Sequence, residues 1–274
     1  MVKRVIVAYD GSALAREAFA YAVRIAQTTG IPILALRALE PTAIPPVLPD
    51  PAIGVGDVLV DPWVAEESLK AERERALIEL PELSNFAQQA GVAFEPRVVE
   101  SPLLDALREL ADPTDLIAVG LKGRFAGNRL GSAASTLVQK GPCPVLFASG
   151  VLRDLGRVLC VFDATGPSLH AVKWSKEFAE QTGWPLTVLA VSTASLPLDA
   201  SLARAQELAP QAQVIHYGPE GQSEAQQIET AAAHTRTALL VMGSSKESWA
   251  HRLLFGSTSL SVMSAVNAPV VLVY

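Results

Sequence analysis

Apolar residues along this chain fall into short, nearly continuous runs that alternate with stretches of helical periodicity. Runs such as Val5–Tyr9 and Ile33–Ala38 have the length and composition of buried strands. Between them, small apolar residues at Ala15, Ala18 and Ala22 recur at a spacing that places them on one face of a helix. Strands alternating with helices in this way predict a parallel sheet that is covered by helices on both faces.

The same order of strands and helices occurs twice, which indicates an internal duplication. Asp10 matches Asp163 and Gly30 matches Gly183, in each case 153 positions later. Both glycines are expected to end a helix, because glycine favours the left-handed conformation at a helix C-terminus. The fold class predicted is α/β, with two tandem doubly wound parallel-sheet domains of five strands each, over residues 1–150 and 151–274.

The strands expected in the two halves share high apolar content and short length. In the first half they are Val5–Tyr9, Ile33–Ala38, Val92–Val98, Leu116–Val119 and Pro144–Phe147. In the second half they are Val158–Phe162, Leu186–Val191, Gln213–Tyr217, Ala238–Met242 and Pro269–Tyr274.

The first half carries additional residues after its second strand. Glu40–Trp63 contains six prolines, a density that excludes regular structure and favours a stiff surface loop over a recognition motif. A charged helical run follows, over Val64–Leu80. We expect it to be a solvated helix face that is interrupted at Pro81, since proline cannot donate the helical hydrogen bond.

Composition narrows the class of protein. Half of the 274 residues are hydrophobic and 18% are charged, as in an ordinary soluble globular protein, and the net charge of −6 argues against nucleic acid or an anionic membrane as partner. The first apolar run is too short for a signal peptide or a membrane span, so a cytoplasmic location is expected. Cys143 and Cys160 lack metal-ligand spacing and are interpreted as reduced thiols.

The candidate ligand-binding residues lie where apolar runs end at a glycine. In the first half a run ends on Gly120, Gly123 follows, and Gly131-Ser132 opens a helix. Ligands of doubly wound sheets bind beyond the carboxyl ends of the strands, where the strand order reverses. If the first and fourth strands are neighbours, Asp10 lies beside Gly120 over one crevice, and Asp163 lies beside Gly243 in the second half.

Such a crevice suits a nucleotide. Glycines let backbone N–H groups converge on an anion, and a helix N-terminus adds positive potential. A carboxylate across the crevice accepts hydrogen bonds from ribose hydroxyls or an amine. Each signal alone is weak, because glycines at strand ends are usually turn residues and Asp10-Gly11-Ser12 is a good turn and cap sequence. Their duplication in matching contexts favours a binding site.

At these residues the sequence resembles the universal stress protein family in its tandem, two-domain form. The first half contains Asp10-Gly11-Ser12, Gly120-x2-Gly123, Gly131-Ser132 and Pro142-Cys143-Pro144-Val145, and the second half contains Asp163, Gly243-x2-Lys246, Gly256-Ser257 and Ala268-Pro269-Val270. The resemblance implies an adenine nucleotide alpha hydrolase-like fold that binds ATP. It implies that Asp10 and Asp163 lie near the ribose or adenine and that Ala38 and Val191 lie beside adenine through their backbones. It also implies a set of residues at the phosphates: Gly120, Gly123, Gly131, Ser132, Gly243, Lys246, Gly256, Ser257 and Ser259.

Both copies depart from the family pattern. The loop that ends at Gly131 is two residues shorter than usual. In the second copy Lys246 stands where the pattern has glycine, and a non-glycine residue at positive φ costs about 1–3 kcal/mol. The lysine ammonium could compensate by attracting triphosphate. We expect ATP at both sites, where Mg²⁺ could bind through the phosphates.

The sequence offers little for catalysis. It lacks the G-x4-G-K-[ST] loop, and its four histidines are scattered without metal-ligand spacing, so we assign no catalytic residue and no protein-held metal. Three hypotheses remain: an ATP-binding regulatory protein, a weak ATPase or phosphotransferase, and a scaffold with vestigial sites. The retained glycines and aspartates favour the first.

The last apolar run, Pro269–Tyr274, has no charged side chain and would form an exposed sheet edge unless it is covered. The expected cover is its counterpart, Pro144–Phe147. This resembles the dimer of the family, which forms through the fifth strands, so we expect the two halves to pair within the chain. Further association into a homodimer is left open.

Overall fold

A computed structural model describes residues 1–40, 62–122, 131–150, 156–191, 197–217, 224–235, 239–244 and 268–274. The strands in this part of the chain are β1 (Arg4–Ala8), β2 (Ile33–Ala38), β3 (Phe94–Val99), β4 (Asp115–Gly120), β5 (Val145–Ala148), β6 (Val158–Phe162), β7 (Leu186–Ala190), β8 (Gln213–Ile215), β9 (Leu239–Gly243) and β10 (Val270–Val273). The helices are α1 (Ala13–Thr29), α2 (Pro62–Gln89), α3 (Leu103–Leu110), α4 (Ser132–Lys140), α5 (Gly166–Thr182), α6 (Leu198–Leu208) and α7 (Glu224–Thr235).

The strands form one sheet in the order β3-β2-β1-β4-β5-β10-β9-β6-β7-β8. Within each half all strand pairs are parallel, and the order reverses between β1 and β4 and again between β6 and β9. Each half is therefore a doubly wound α/β unit, which confirms the predicted fold class. The domain limits of 1–150 and 151–274 stay a prediction.

The two halves meet at β5 and β10, which pair antiparallel with Leu146 opposite Val271. A second contact lies at the start of the chain, where the side-chain amide of Gln181 accepts from Val2 N at 2.9 Å and donates to Val2 O at 2.7 Å. Because β5 and β10 run in opposite directions, the carboxyl ends of the strands lie at one edge of the sheet in the first half and at the opposite edge in the second.

The core consists of two apolar layers, one on each face of the sheet. Alternation along β1 sends Val5 and Val7 to the face covered by α1, α2 and α5, and sends Ile6 and Ala8 to the face covered by α3, α4 and α7. Each layer contains residues of both halves. Among the described residues, no helix is both long and apolar enough to cross a bilayer.

The ends of α1 and α5 follow the sequence signals. Ser12 Oγ accepts from Ala15 N at 3.1 Å and caps α1, and Thr165 caps α5 in the same way. Gly30 and Gly183 end the two helices with φ of 74° and 71°, as predicted.

Helix α2 departs from the sequence expectation. It starts at Pro62, inside the segment expected to be loop, and continues through Pro81, so the predicted interruption at Pro81 is wrong. Pro81 lies on the exposed side, where water can bond the carbonyl group that proline leaves without a helical donor. The opposite side buries a stripe of residues at helical spacing that holds both parts of the helix on the sheet: Ala76, Leu80, Leu83 and Ala87.

Candidate functional site

Strand register brings the candidate aspartates next to the candidate glycines. Ala8 pairs with Val119, so Gly120 comes opposite Tyr9 and Asp10 lies one residue further on. In the second half Cys160 pairs with Val241, which gives Asp163 the same relation to Gly243. Each pair lies at the carboxyl edge of its half, where the strand order reverses.

Each aspartate organises the turn that leads into the following helix. Asp10 Oδ1 accepts from Ser12 N at 2.9 Å. Asp163 Oδ1 accepts from Thr165 N at 3.0 Å and from Thr165 Oγ1 at 2.6 Å. Both aspartates therefore stabilise turns, as the turn-forming interpretation of Asp10 predicts. A carboxylate has about four lone-pair sites, so the two bonds to Asp163 use only part of its capacity as an acceptor.

The glycines that end β4 and β9 lie against helix N-termini. A Cβ on Gly120 would lie 2.8 Å from Leu14 Cβ and 3.0 Å from Ala15 N. A Cβ on Gly243 would lie 2.2 Å from the carbonyl carbon of Pro167. Glycine at these positions lets the strand end touch the first turn of α1 or α5, a packing role that the sequence analysis did not consider.

The N-terminus of helix α4 lies at the carboxyl edge of the first half. Gly131 N donates to Leu121 O at 3.1 Å, which holds the start of the helix beside the end of β4. Within the described part of the chain, no side chain caps α4 at Gly131, and Ser132 is exposed. The first N–H groups of α4 thus differ from those of α1 and α5, which have the side-chain caps Ser12 and Thr165.

The predicted adenine-side residues lie at the carboxyl edges of their own halves, which are opposite edges of the sheet. Ala38 ends β2 next to β1 and is partly exposed. Val191 follows β7 and is buried, and its N–H donates to Phe162 O at 2.9 Å. Since that N–H is engaged, a contact between the Val191 backbone and a base would have to use the carbonyl oxygen.

The structure thus brings together five predicted residues of the first half: Asp10, Ala38, Gly120, Gly131 and Ser132. In the second half it brings together Asp163, Val191 and Gly243. The remaining candidates lie outside the described residues: Gly123, Lys246, Gly256, Ser257 and Ser259.

A buried ion cluster beside the first crevice was missed by the sequence analysis. Arg37, one residue before Ala38, is 2% exposed and pairs with Glu72 and with Glu79 on α2, the latter at 3.5 Å. Its Nη1 also donates to Tyr9 O at 3.3 Å. The expectation that the charged run on α2 is only a solvated face is wrong for these two glutamates.

The cluster makes the two crevices different. Burial raises the pKa of the Tyr9 hydroxyl, and the Glu79 carboxylate raises that pKa further. The position that corresponds to Arg37 in the second half is Ala190, and the one that corresponds to Tyr9 is Phe162. A lone arginine in an apolar strand was the signal available in the sequence, but its glutamate partners lie 35 or more residues away.

Backbone strain marks the second crevice. Ala164, next to Asp163, has φ of 63°, whereas the equivalent residue of the first half is Gly11 with φ of 74°. A left-handed conformation costs a residue with a Cβ about 1–2 kcal/mol. The two repeats align Gly11 with Ala164, and an alanine at a position where the other repeat has glycine was the sequence signal for this strain.

Cys143 and Cys160 are free, buried thiols. Burial raises the pKa of Cys143 and of Cys160 to about 12, so both are neutral near pH 7.

The sheet order and the two crevices define the class: a tandem doubly wound α/β protein with one candidate ligand site in each half. Residues 1–149 and residues 155–274 both match the family model described as the Universal stress protein family. The chain belongs to the universal stress protein family, as a tandem member.

Individual relatives agree with this assignment. The "Universal stress protein in QAH/OAS sulfhydrylase 3'region" of Thermus aquaticus is 34% identical over 151 residues, which cover 53% of this chain and 98% of that protein. Universal stress protein Slr1230 of Synechocystis is 24% identical over an alignment of 293 residues, which covers 98% of this chain and 99% of that protein. The crystal structure of a universal stress protein from Archaeoglobus fulgidus superposes with a TM-score of 0.70 at 19% identity, covering 98% of this chain and 95% of the other.

Proposed function

We propose that the protein binds ATP in the crevice of each half and acts as a nucleotide-dependent regulatory protein in the response to stress. Membership in the universal stress protein family supports the stress-response role. The observation that supports ATP binding is the position of the N-terminus of α4, which lies at the strand-order reversal beside Gly120 and at the same edge of the sheet as Asp10.

The described residues of the first half fit an adenine nucleotide. The first N–H groups of α4 and the hydroxyl of Ser132 would hold phosphate, because a helix N-terminus combines N–H donors that have no partner within the helix with positive potential. Asp10 would accept from the ribose, and the backbone of Ala38 would lie beside the base. Mg²⁺ could accompany the phosphates as their counterion.

In the second half Asp163 would take the role of Asp10. The carbonyl oxygen of Val191, which accepts from Ser201 Oγ at 3.4 Å, has a second lone pair available for the amino group of adenine. Lys246, Gly256, Ser257 and Ser259 are the phosphate-side residues that we propose for this half.

We further propose that the paired β5 and β10 make the chain an internal pseudo-dimer. We favour a regulatory role over rapid turnover because the sequence lacks the G-x4-G-K-[ST] loop, whose lysine and hydroxyl assist phosphoryl transfer. The proposed readout of bound ATP is a change in the shape or the partners of the chain.

Calorimetric titration of the full-length protein with ATP and Mg²⁺ tests the proposal. We expect two ATP molecules per chain, one in Asp10→Ala or Asp163→Ala, and none in the double variant. Asp112→Ala is the matched control, since Asp112 Oδ1 also accepts from Thr114 N (2.9 Å) and Thr114 Oγ1 (2.7 Å), but before β4, at the other edge of the first half.

Absence of ATP binding to the wild type, or binding that survives in the double variant, would overturn the proposal. Steady release of phosphate that disappears in Asp10→Ala would favour the ATPase alternative instead.

A further inference from the structure

Helix α4 belongs to the first half but is capped by the second. The last four carbonyl groups of a helix have no partner within it. At the end of α4 the hydroxyl of Tyr274 donates to Leu137 O, and Ser244 Oγ donates to Val138 O at 3.3 Å. Both donors follow strands of the second half, β10 and β9.

The two ends of α4 lie at opposite edges of the sheet. The helix begins at Gly131, at the carboxyl edge of the first half, and returns to the start of β5. Because β5 and β10 are antiparallel, the edge that α4 reaches is the carboxyl edge of the second half. Ser244 stands there directly after Gly243, as the first residue of the second glycine loop.

Both capping residues are held firmly. Ser244 is buried and its N–H donates to Val273 O at 2.7 Å, which fixes it to β10. The ring of Tyr274 packs over Gly141, where an added Cβ would lie 2.6 Å from the ring. A shift of α4 along its axis would therefore move or break the contacts of Ser244 and Tyr274.

We propose that α4 couples the two candidate ATP sites, so that occupation of either site raises the affinity of the other. This inference rests on the proposed function. Phosphate held at the N-terminus of α4 would fix the helix, and through its bonds to Ser244 and Tyr274 the helix would restrict the motion of the ends of β9 and β10. A second ligand then has less to order, which is the condition for positive cooperativity, and linkage makes the factor equal in both directions.

Titration of ATP into the full-length protein and its variants tests this coupling. Asp163→Ala gives the affinity of the first site alone, and Asp10→Ala gives that of the second site alone. In the wild type we expect each site to bind about fivefold more tightly when the other is filled. Combining Tyr274→Phe with Ser244→Ala should reduce this factor to near one, and Tyr274→Phe alone, which keeps the ring over Gly141, should reduce it partly.

Thr182→Val is the matched control. Thr182 Oγ1 donates to Phe178 O at 2.8 Å, so it too bonds a helix carbonyl close to a C-terminus, but within the second half and away from the contact with α4. The control should keep the fivefold factor. Wild-type affinities equal to those of the single-site variants, or a factor unchanged by the capping variants, would overturn the coupling and leave ATP binding intact. No binding to the wild type would overturn both proposals.

Discussion

Gly243 at the end of β9 lies directly against the backbone of Pro167, in the first turn of α5. The strand and the helix approach so closely that no side chain fits between them. The glycine in the ligand motif is therefore also a packing residue. Glycine is required here with or without a ligand, so the proposal of ATP binding rests instead on the position of the α4 N-terminus beside Gly120.

This contact predicts a specific loss of stability. Gly243→Ala would place a Cβ 2.2 Å from the Pro167 carbonyl carbon, so we expect the free energy of unfolding to fall by about 2 kcal/mol. Gly156→Ala is the control, because a Cβ there meets nothing within 4 Å, and it should change stability by less than about 0.5 kcal/mol. Urea denaturation measures both, and equal effects of the two substitutions would contradict the packing role.

Relief of the backbone strain at Ala164 is expected to stabilise the protein. Ala164→Gly would relieve the left-handed backbone at φ 63°, at the expense of a more flexible unfolded chain, so we expect stabilisation by about 0.5–1 kcal/mol. Gly11→Ala makes the reverse change at the equivalent residue and should destabilise the protein by about 1 kcal/mol. Thermal unfolding compares the two variants, and a destabilising Ala164→Gly would show that the backbone there is not strained.

Removal of the buried Arg37 side chain is expected to destabilise the protein strongly. Arg37→Ala would leave Glu72 and Glu79 without their buried partner, so we expect the free energy of unfolding to fall by about 3 kcal/mol. Arg75 also pairs with Glu72, but its side chain is 49% exposed, and Arg75→Ala should cost less than about 0.5 kcal/mol. If chemical denaturation gave similar small losses for both variants, the cluster would have no role in anchoring α2.

The contact of Tyr274 with α4 predicts a pH dependence. Burial raises the pKa of this hydroxyl above 10, so the folded state holds the proton more tightly than the unfolded chain does. The stabilisation is complete below about pH 10 and is lost as the pH rises beyond it, by up to about 1.4 kcal/mol per pH unit.

Tyr274→Phe removes the group that titrates. The difference in unfolding free energy between wild type and variant should therefore be constant from pH 7 to about 9 and shrink above about pH 10. Urea titrations at several pH values measure this difference. A difference that stays constant to high pH would mean that burial does not raise the pKa of the Tyr274 hydroxyl.

Local patterns were enough to predict the sheet and the neighbours of the crevice. The apolar runs and the repeat gave five strands in each half, and the reversal rule placed Asp10 beside Gly120. Helix C-termini at Gly30 and Gly183 followed from the backbone preference of glycine, which is a property of single residues.

Features that depend on distant partners could not be predicted. Arg37 and Glu72 are separated by the proline-rich segment, and no spacing rule connects them. The bond from Tyr274 to Leu137 joins residues 137 positions apart. Pro81 was misjudged because propensity describes an isolated helix, whereas burial of Leu80 and Leu83 against the sheet holds this one together.

The antiparallel seam between β5 and β10 has a consequence for how this protein can change over time. In an assembly of two identical subunits every substitution appears twice, and dilution separates the partners. Here the covalent link keeps the halves at a high effective concentration whatever the amount of protein, and each half can vary alone. Such independent variation is seen at Arg37, which pairs with glutamates in the first half, whereas the equivalent residue of the second half is Ala190.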